Sequence, residues 1–157
     1  MVTLIWAQTL NGVIGFEGKL PWNIKEEMQH FVKSTKHKTV LMGRNTWDSL
    51  KLKPLPKRTN IVITSRPMDL TDENLKVDNN LEKWLKDFKN SQEEIIIIGG
   101  KKIFDASLND ADKLIISYIY EEYKGDVFAP EFDLNNFDLT DTQKFTEFEV
   151  RTYERKK

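Results

Sequence analysis

Glu27 is the strongest candidate for a ligand-binding or catalytic carboxylate. It lies in a segment, residues 20–35, that should form a turn and then a helix. Pro21 predicts the turn, and Asn23 predicts a helix N-cap. One stripe of the helix is apolar and comprises Ile24, Met28, Phe31, Val32 and Thr35. Glu26 lies nearly opposite this stripe, whereas Glu27 lies at its rim, about 80° from its centre. A carboxylate in an apolar pocket is costly unless it has a partner, and a ligand with paired N–H donors would be one. The alternative, that both glutamates only complement the helix dipole, suits Glu26.

Two junctions, at each of which a strand ends in glycine before a helix, are candidate anion sites. The first follows residues 39–42 and contains Gly43 and Arg44, and the second follows the most hydrophobic run, residues 94–98, and contains Gly99-Gly100. Free backbone N–H groups and the positive end of a helix dipole meet at such a junction. Each junction alone is weak evidence, because many such turns are only structural.

Together the two junctions favour a ligand with linked phosphates that lies across the ends of parallel strands. Arg44 and Arg66 follow neighbouring predicted strands, and an arginine beside the ribose is the expected partner of a 2′-phosphate. The residues therefore indicate NADPH more than NADH. The G-x-G-x-x-G fingerprint is missing, so an ordinary Rossmann site is not supported.

The elements that must position these residues alternate between strands and helices. Buried strands are predicted over residues 2–7, 39–42, 60–64, 94–98 and 113–119, a packing helix over residues 80–88, and a half-exposed antiparallel strand over residues 147–153. We expect an α/β fold in a single three-layer domain over residues 1–157, with a central, mostly parallel twisted sheet, helices on both faces and an antiparallel C-terminal edge.

Two loops have expected roles at the site. Residues 13–19, which include Gly15 and Gly18, should form either a lid or a plain surface loop. Residues 51–57, which include two prolines, should form a rigid loop that delivers Arg58 to the start of a strand.

Composition narrows the class of protein. The chain has 157 residues, a net charge of −1 and no cysteine, which excludes disulfides, thiol nucleophiles and cysteine metal sites. Any anion site must be local, because the whole surface has no strong field for nucleic acid or anionic membrane. No acid–histidine cluster has metal spacing, so no metal is expected, and His30 and His37 are expected to be solvated. The first residues lack the pattern of a signal peptide, so we expect a cytoplasmic protein.

Several motifs, taken in their order, closely resemble those of the bacterial-type dihydrofolate reductase family. They are Leu20-Pro21-Trp22-Asn23, Glu27 with Phe31, Met42-Gly43-Arg44-Asn45-Thr46-Trp47, Leu55-Pro56 with Arg58, Ile98-Gly99-Gly100 and Gly125-Asp126-Val127-Phe128. The resemblance implies NADPH-dependent reduction of 7,8-dihydrofolate to 5,6,7,8-tetrahydrofolate, with hydride passing to C6 and a proton to N5. It also implies a monomer that binds antifolates such as methotrexate or trimethoprim.

The resemblance assigns roles to the residues of the pocket. Glu27 would pair with N3 and the 2-amino group of the pterin, Trp22 would hold an ordered water beside it, and Ser117 would extend this polar network. Arg58 would bind the α-carboxylate of the glutamate tail. Leu20 would complete the catalytic set as the end of a mobile loop, residues 13–20, that closes over the nicotinamide. The walls around the pterin and aminobenzoyl rings would be Ile5, Ala7, Met28, Phe31, Leu50, Leu55 and Ile98.

The resemblance likewise implies a cofactor site built from both glycine junctions. Its phosphates would lie against these junctions, Ser65 would join the two arginines at the 2′-phosphate, and a cis peptide would join Gly99 to Gly100. The implied cofactor-binding residues are Ala7, Ile14, Gly15, Gly18, Lys19, Leu20, Gly43, Arg44, Asn45, Thr46, Ser49, Thr64, Ser65, Arg66, Ile98, Gly99, Gly100, Lys101, Lys102, Ile103 and Phe104.

Two positions depart from the common pattern of the family: Phe104 stands where tyrosine is common, and Lys101 stands where some members have a third glycine. Glu27 in place of aspartate is within the family's range. Two other functions stay open at this point: a related NADPH-dependent pyrimidine reductase of riboflavin synthesis, and a non-catalytic NADPH- or folate-binding module.

Overall fold

The computed structural model describes residues 1–15 and 20–157. Its strands are β1 (Val2–Thr9), β2 (Val13–Gly15), β3 (Thr39–Gly43), β4 (Thr59–Ile63), β5 (Leu75–Asp78), β6 (Ile95–Gly99), β7 (Lys113–Ile119), β8 (Val127–Phe128), β9 (Phe137–Lys144) and β10 (Phe148–Arg155). Its α-helices are α1 (Lys25–Thr35), α2 (Arg44–Ser49), α3 (Leu81–Lys89) and α4 (Lys101–Ser107), and two 3₁₀ turns cover Leu108–Asp110 and Leu134–Asn136.

One sheet of eight strands, in the order β5-β4-β3-β6-β1-β7-β10-β9, organises the domain. The first six strands in this order pair in parallel, whereas β10 pairs antiparallel with both β7 and β9. β2 and β8 form a separate antiparallel pair. The predicted sheet, mostly parallel with an antiparallel C-terminal edge, is confirmed.

The central strands are buried on both faces, as their nearly continuous apolar runs predict. Successive side chains of a strand point to opposite faces, so in β6 Ile95 and Ile97 join one core while Ile96 joins the other. Leu85 of α3 and Phe104 of α4 pack into the first core, together with Leu4, Leu41, Ile61 and Leu114. Trp47 of α2 and Phe31 of α1 pack with the second core, which also contains Ile5, Val40, Met42 and Val62. Helices therefore cover both faces.

The strands at the two ends of the sheet, β5 and β9, have no counterpart in the predicted elements. β9 is exposed at every position after Phe137, and in β5 only Leu75 and Asp78 are half-buried. Edge strands with few apolar residues limit pairing with other chains. β5 is only four residues long, and β9 is apolar only at its first and third positions, so neither has the sustained alternation by which a strand is recognised. β2 was not predicted either, because it is only three residues long and lies within the segment predicted as a loop.

The start of α1 differs from the prediction in two respects. The N-cap position is occupied by Ile24, which is buried and extended, so the predicted cap at Asn23 is wrong. The apolar stripe is also only partly buried, since Met28 is 52% exposed and Val32 39% exposed. α1 therefore covers the sheet with Phe31 and Thr35 and leaves two apolar side chains facing outward.

Among the described residues, no helix is both long enough and apolar enough to cross a membrane.

Candidate active site

The two glycine junctions meet at one edge of the sheet. β3 and β6 are parallel neighbours, with Met42 opposite Gly99, so the helices that follow them begin side by side. A Cβ atom added to Gly43 would lie 3.0 Å from Ile103 Cγ1, and one added to Gly99 would lie 3.3 Å from Thr46 Oγ1. The backbone of each junction therefore touches a side chain of the other, and a larger residue would fill the space between them.

Gly99 adopts a conformation that favours glycine. Its φ angle is +124°, and the peptide that joins it to Gly100 is cis, as the resemblance implies. A residue with a Cβ atom would be strained at this φ angle. A Cβ atom on Gly100 would lie 3.5 Å from the same Thr46 hydroxyl oxygen.

Arg44 and Arg66 come together beside the first junction, because β4 is the parallel neighbour of β3. Arg44 donates from Nε to Asp48 Oδ1 at 3.0 Å and from Nη1 to the carbonyl oxygen of Pro67 at 3.2 Å. Arg66 Nη2 lies 3.9 Å from Asp48 Oδ2. The turn that carries Arg66 is held by Thr64, whose Oγ1 accepts from the Arg66 backbone N–H at 3.1 Å. The protein thus concentrates positive charge here although its net charge is −1.

The other predicted cofactor residues occupy varied environments around these junctions. Asn45, Ser65 and Lys102 are exposed. Ser49 is exposed too, and its hydroxyl donates to the Thr46 carbonyl oxygen at 2.7 Å. Lys101 pairs with Asp105, with Nζ 3.1 Å from Oδ1.

Phe104 lies in the hydrophobic core. It is 3% exposed, its ring centroid is 5.4 Å from that of Trp6, and its ring edge would touch a Cβ on Gly99. A phenylalanine suits this apolar position, where a tyrosine hydroxyl would need a polar partner.

Glu27 lies at the same edge of the sheet. α1 precedes the parallel strand β3 and runs back across the sheet, so its first turn stands near the carboxyl ends of the strands. The side chain is half-buried, and burial raises its pKa from 4.5 to about 7, because the charged form is poorly solvated there. Among the described residues, no hydrogen bond or ion pair to its carboxylate is seen. Glu26, in the same turn, is exposed, so the two glutamates differ as the helical wheel predicts.

Trp22 places a second polar group near the start of α1. It is 6% exposed and packs with Ile24, Ile119 and Val150, and Ala7 packs against the same group. Its indole Nε1 is buried without a hydrogen-bond partner in the described part of the chain. Buried N–H groups are nearly always paired with protein, water or ligand, so this position fits a bound water or ligand atom. Ser117, also buried, stands opposite Ala7 in the β1–β7 pair.

Most of the predicted pocket walls pack together. Ile5, Phe31, Leu50, Leu55 and Ile98 belong to or contact the second core, and Ala7 contacts the Trp22 group. Met28, the remaining predicted wall, does not join them and is 52% exposed, and Leu20, which was predicted for the catalytic set, is 53% exposed. The apolar walls therefore come from β1, β6, α1 and the segment after α2.

Arg58 lies at the other end of α1. It is 7% exposed, and it donates from Nε to the Pro56 carbonyl oxygen and from Nη1 to Thr35 Oγ1, both at 2.9 Å. Burial lowers its pKa. Thr35 and Glu27 are eight positions apart on one helix, which separates them by roughly 12 Å along its axis. A carboxylate and a guanidinium thus mark the two ends of α1.

Three positioning residues were not found by sequence reasoning: Thr35, Asp48 and Asn60. Asn60 holds the loop before Arg58, since Oδ1 accepts from Leu55 N–H at 2.9 Å and Nδ2 donates to the Leu55 and Arg58 carbonyl oxygens at 3.0 Å. A polar residue inside an apolar strand was the signal for Asn60, and the (i, i+4) spacing from Arg44 was the signal for Asp48.

The segment predicted to form a lid is described only in part. Gly18 and Lys19 lie outside the described residues, as does the rest of residues 16–19. Ile14 and Gly15 belong to β2, so the predicted loop is wrong for residues 13–15. Asp126 donates its backbone N–H to the Gly15 carbonyl oxygen at 3.0 Å, and this contact ties β2 to the segment before β8.

The two histidines take no part in these clusters. His30, expected to be solvated, is half-buried with its ring centroid 6.4 Å from that of Phe145, and burial and Lys33 lower its pKa. His37 is exposed. In residues 1–15 and 20–157, no group of three or more His, Asp and Glu side chains could hold a metal ion.

A parallel α/β sheet with glycine-marked helix starts and paired arginines at its carboxyl edge is typical of proteins that bind phosphorylated nucleotides. A sequence model of the family described as "Dihydrofolate reductase" matches residues 1–156. The chain belongs to the dihydrofolate reductase family.

Individual relatives agree with this placement. The chain is 46% identical over 157 residues to a dihydrofolate reductase of Ureaplasma parvum, covering 100% of this chain and 99% of the relative. It is 34% identical over 154 residues to one of Bacillus subtilis, covering 98% and 90%. A solved structure of dihydrofolate reductase from Enterococcus faecalis, complexed with NADP(H) and RAB-propyl, superposes with a TM-score of 0.89 at 34% identity, covering 100% of this chain and 97% of that one.

Proposed function

We propose that this chain catalyses the NADPH-dependent reduction of 7,8-dihydrofolate to 5,6,7,8-tetrahydrofolate, with hydride passing to C6 and a proton to N5. Membership of the dihydrofolate reductase family over residues 1–156 supports this reaction. The observation that carries it is Glu27, a half-buried carboxylate at the carboxyl edge of the sheet whose pKa burial raises to about 7. A pterin offers the paired N–H donors that such a carboxylate lacks.

The glycine junctions and the two arginines fit the cofactor. Backbone approach at Gly43, Gly99 and Gly100 leaves a cradle that a Cβ atom would fill, and the helix starts beside it favour phosphate. Arg44 and Arg66, with Ser65 and Thr64, would hold the 2′-phosphate. When bound, NADPH supplies the hydride for the reaction.

The substrate would lie along α1, between Glu27 and Arg58. Glu27 would accept from N3–H and the 2-amino group, while Ile5, Phe31, Leu50, Leu55 and Ile98 enclose the rings. The Arg58 guanidinium, held in place by Thr35 and Pro56, would bind the α-carboxylate of the glutamate tail. Methotrexate and trimethoprim would compete for the same place, since each presents a 2-amino group and a ring nitrogen to Glu27.

Glu27 has an electrostatic role in this mechanism. Protonation at N5 makes the pterin positive, and a fixed negative charge in a site that excludes water stabilises that state. The carboxylate pairs at N3, across the ring from N5, so it does not deliver the proton directly. A water held at Trp22 Nε1, which has no hydrogen-bond partner among the described residues, would start the proton route, and Ser117 would extend the polar network.

We further infer a monomeric, cytoplasmic enzyme in which residues 1–157 form one catalytic unit. The polar, exposed edge strand β9 supports the monomer, because such an edge disfavours pairing with a second sheet. Size-exclusion chromatography with light scattering tests it, and a dimer mass would contradict it.

The direct test is an initial-rate assay of NADPH oxidation with dihydrofolate. We expect turnover that methotrexate abolishes at stoichiometric concentration, together with little oxidation when a pyrimidine intermediate of riboflavin synthesis replaces dihydrofolate. Preference for the pyrimidine would contradict the proposal, as would methotrexate binding without any dihydrofolate-dependent oxidation.

A further inference from the structure

Asp48 stands between the two arginines of the proposed 2′-phosphate site. Its Oδ1 accepts from Arg44 Nε at 3.0 Å, and its Oδ2 lies 3.9 Å from Arg66 Nη2. One carboxylate thus links the first turn of α2 to the loop after β4. The side chains of Asp48 and Arg66 are 49% and 61% exposed, while that of Arg44 is only 22% exposed.

The carboxylate offsets part of the positive charge at this site. The cations around it are Arg44, Arg66 and Lys53, whose Nζ donates to the Asp48 carbonyl oxygen at 3.3 Å. Three positive charges and one negative charge leave a net charge of +2, which would be +3 without the aspartate. A phosphate dianion bound by the arginines would also lie near the carboxylate and be repelled by it.

Asp48 also occupies one donor that a phosphate would use. Arg44 Nε is engaged by Asp48, and Arg44 Nη1 by the Pro67 carbonyl oxygen at 3.2 Å. The Asp48 carboxylate therefore competes for the guanidinium edge while it fixes the orientation of that group. An asparagine would keep an oxygen to accept from Arg44 Nε but would remove the charge.

We propose that Asp48 is a specificity-determining residue that weakens binding of the 2′-phosphate and so limits the preference for NADPH over NADH. This inference rests on the proposed function, because it takes the paired arginines as the 2′-phosphate site. Asp48 acts on the ribose end of the cofactor, so it should change cofactor affinity and leave the hydride-transfer rate unaltered.

The test compares Asp48→Asn with the parent by calorimetry, using adenosine 2′,5′-bisphosphate and adenosine 5′-monophosphate as probes. We expect the variant to bind the bisphosphate about tenfold more tightly, as removal of one like charge beside a partly exposed dianion implies, and the monophosphate within about twofold of the parent. The difference should shrink at about 1 M salt, where the Debye length is about 3 Å. In turnover, KM for NADPH should fall, while kcat and KM for NADH stay unchanged.

Asp110→Asn is the matched control. Asp110 pairs with Lys89 at 3.2 Å with similar exposure, so its replacement changes the net charge equally at a place remote from the arginines. It should alter neither affinity.

Equal effects on both probes, no effect, or weaker bisphosphate binding by Asp48→Asn would overturn the inference. In the last case the orientation of Arg44 by Asp48 would contribute more to phosphate binding than the repulsion between Asp48 and the phosphate removes. If the parent protein binds the bisphosphate no better than the monophosphate, the arginine pair is not a 2′-phosphate site and this inference fails, whereas the proposed reaction is judged separately by dihydrofolate turnover.

Discussion

Replacing Glu27 by glutamine should make the protein a poorer enzyme and a more stable fold. The amide keeps the shape of the side chain but loses the charge that stabilises a protonated pterin. It also presents an N–H₂ group to the donors of the ligand. Loss of one such electrostatic group lowers kcat by about 10²- to 10³-fold in other enzymes, and we expect the same order of loss at neutral pH.

The gain in stability follows from the raised pKa of Glu27. Burial moves this pKa from 4.5 to about 7, so between those values the unfolded chain has lost a proton that the folded chain still holds. Stability therefore falls as the pH rises through this window. About 1.4 kcal/mol per pKa unit gives an upper bound of about 3–4 kcal/mol, which partial exposure reduces to about 1–2 kcal/mol.

The glutamine variant has no carboxylate to bury, so it avoids this loss of stability. Its free energy of unfolding should exceed that of the parent by about 1–2 kcal/mol near pH 8, or about 2–8 °C in Tm for a chain of this size. Near pH 4 both side chains are mostly neutral, so the two proteins should be about equally stable.

Urea unfolding at both pH values and NADPH-oxidation rates measure these effects. Glu26→Gln is the control, because Glu26 lies in the same helical turn but is exposed, and it should change neither quantity. Near-normal turnover by Glu27→Gln would refute the catalytic role, and a stability difference that does not depend on pH would refute the burial argument.

Three further substitutions test other parts of the site. Arg58→Lys should raise KM for dihydrofolate by about 10- to 100-fold with little change in kcat, because lysine lacks the planar fork; a drop in kcat alone would argue against a tail-binding role. Gly43→Ala should raise KM for NADPH and cost about 1–3 kcal/mol of stability, since its Cβ would lie 3.0 Å from Ile103 Cγ1; unchanged cofactor affinity by fluorescence titration would contradict the cradle. Gly125→Val should cost about 1–3 kcal/mol in urea unfolding, because the first added carbon would lie 2.0 Å from Val13 Cγ1; a parent-like midpoint would show that β2 and β8 separate freely.

The buried strands and helices were predictable because burial on one or both faces determines which of their positions are apolar. Residues 95–98 are all isoleucine, without polar alternation, because β6 is covered on both faces. The edge strands β5 and β9 were not predictable in this way, since solvent on their outer sides permits polar residues. The prediction of an N-cap at Asn23 was wrong because the helix begins one residue later than expected, so that the buried Ile24 occupies the cap position.

The residues of the candidate site also differ in how far the sequence predicts them. Helical periodicity alone distinguishes Glu27 from Glu26, and the glycine junctions are recognised by their place after apolar strands. The positioning roles of Thr35 and Asp48 were harder to predict, because Thr35 acts on Arg58, which is distant in the chain, and Asp48 contacts Arg66 as well as Arg44 four positions before it. Arg58 meets Thr35 across 23 positions, and Arg66 meets Asp48 only because β3 and β4 are neighbours.

Following the hydride gives the sharpest test of whether this protein reduces dihydrofolate with NADPH. The protein is incubated with dihydrofolate and NADPH deuterated at the transferred position of C4, and the folate product is analysed by mass spectrometry and NMR. The product should be tetrahydrofolate with one deuterium at C6 for each NADPH oxidised. Oxidation of NADPH without deuterium at C6, or recovery of unchanged dihydrofolate, would contradict the proposed reaction.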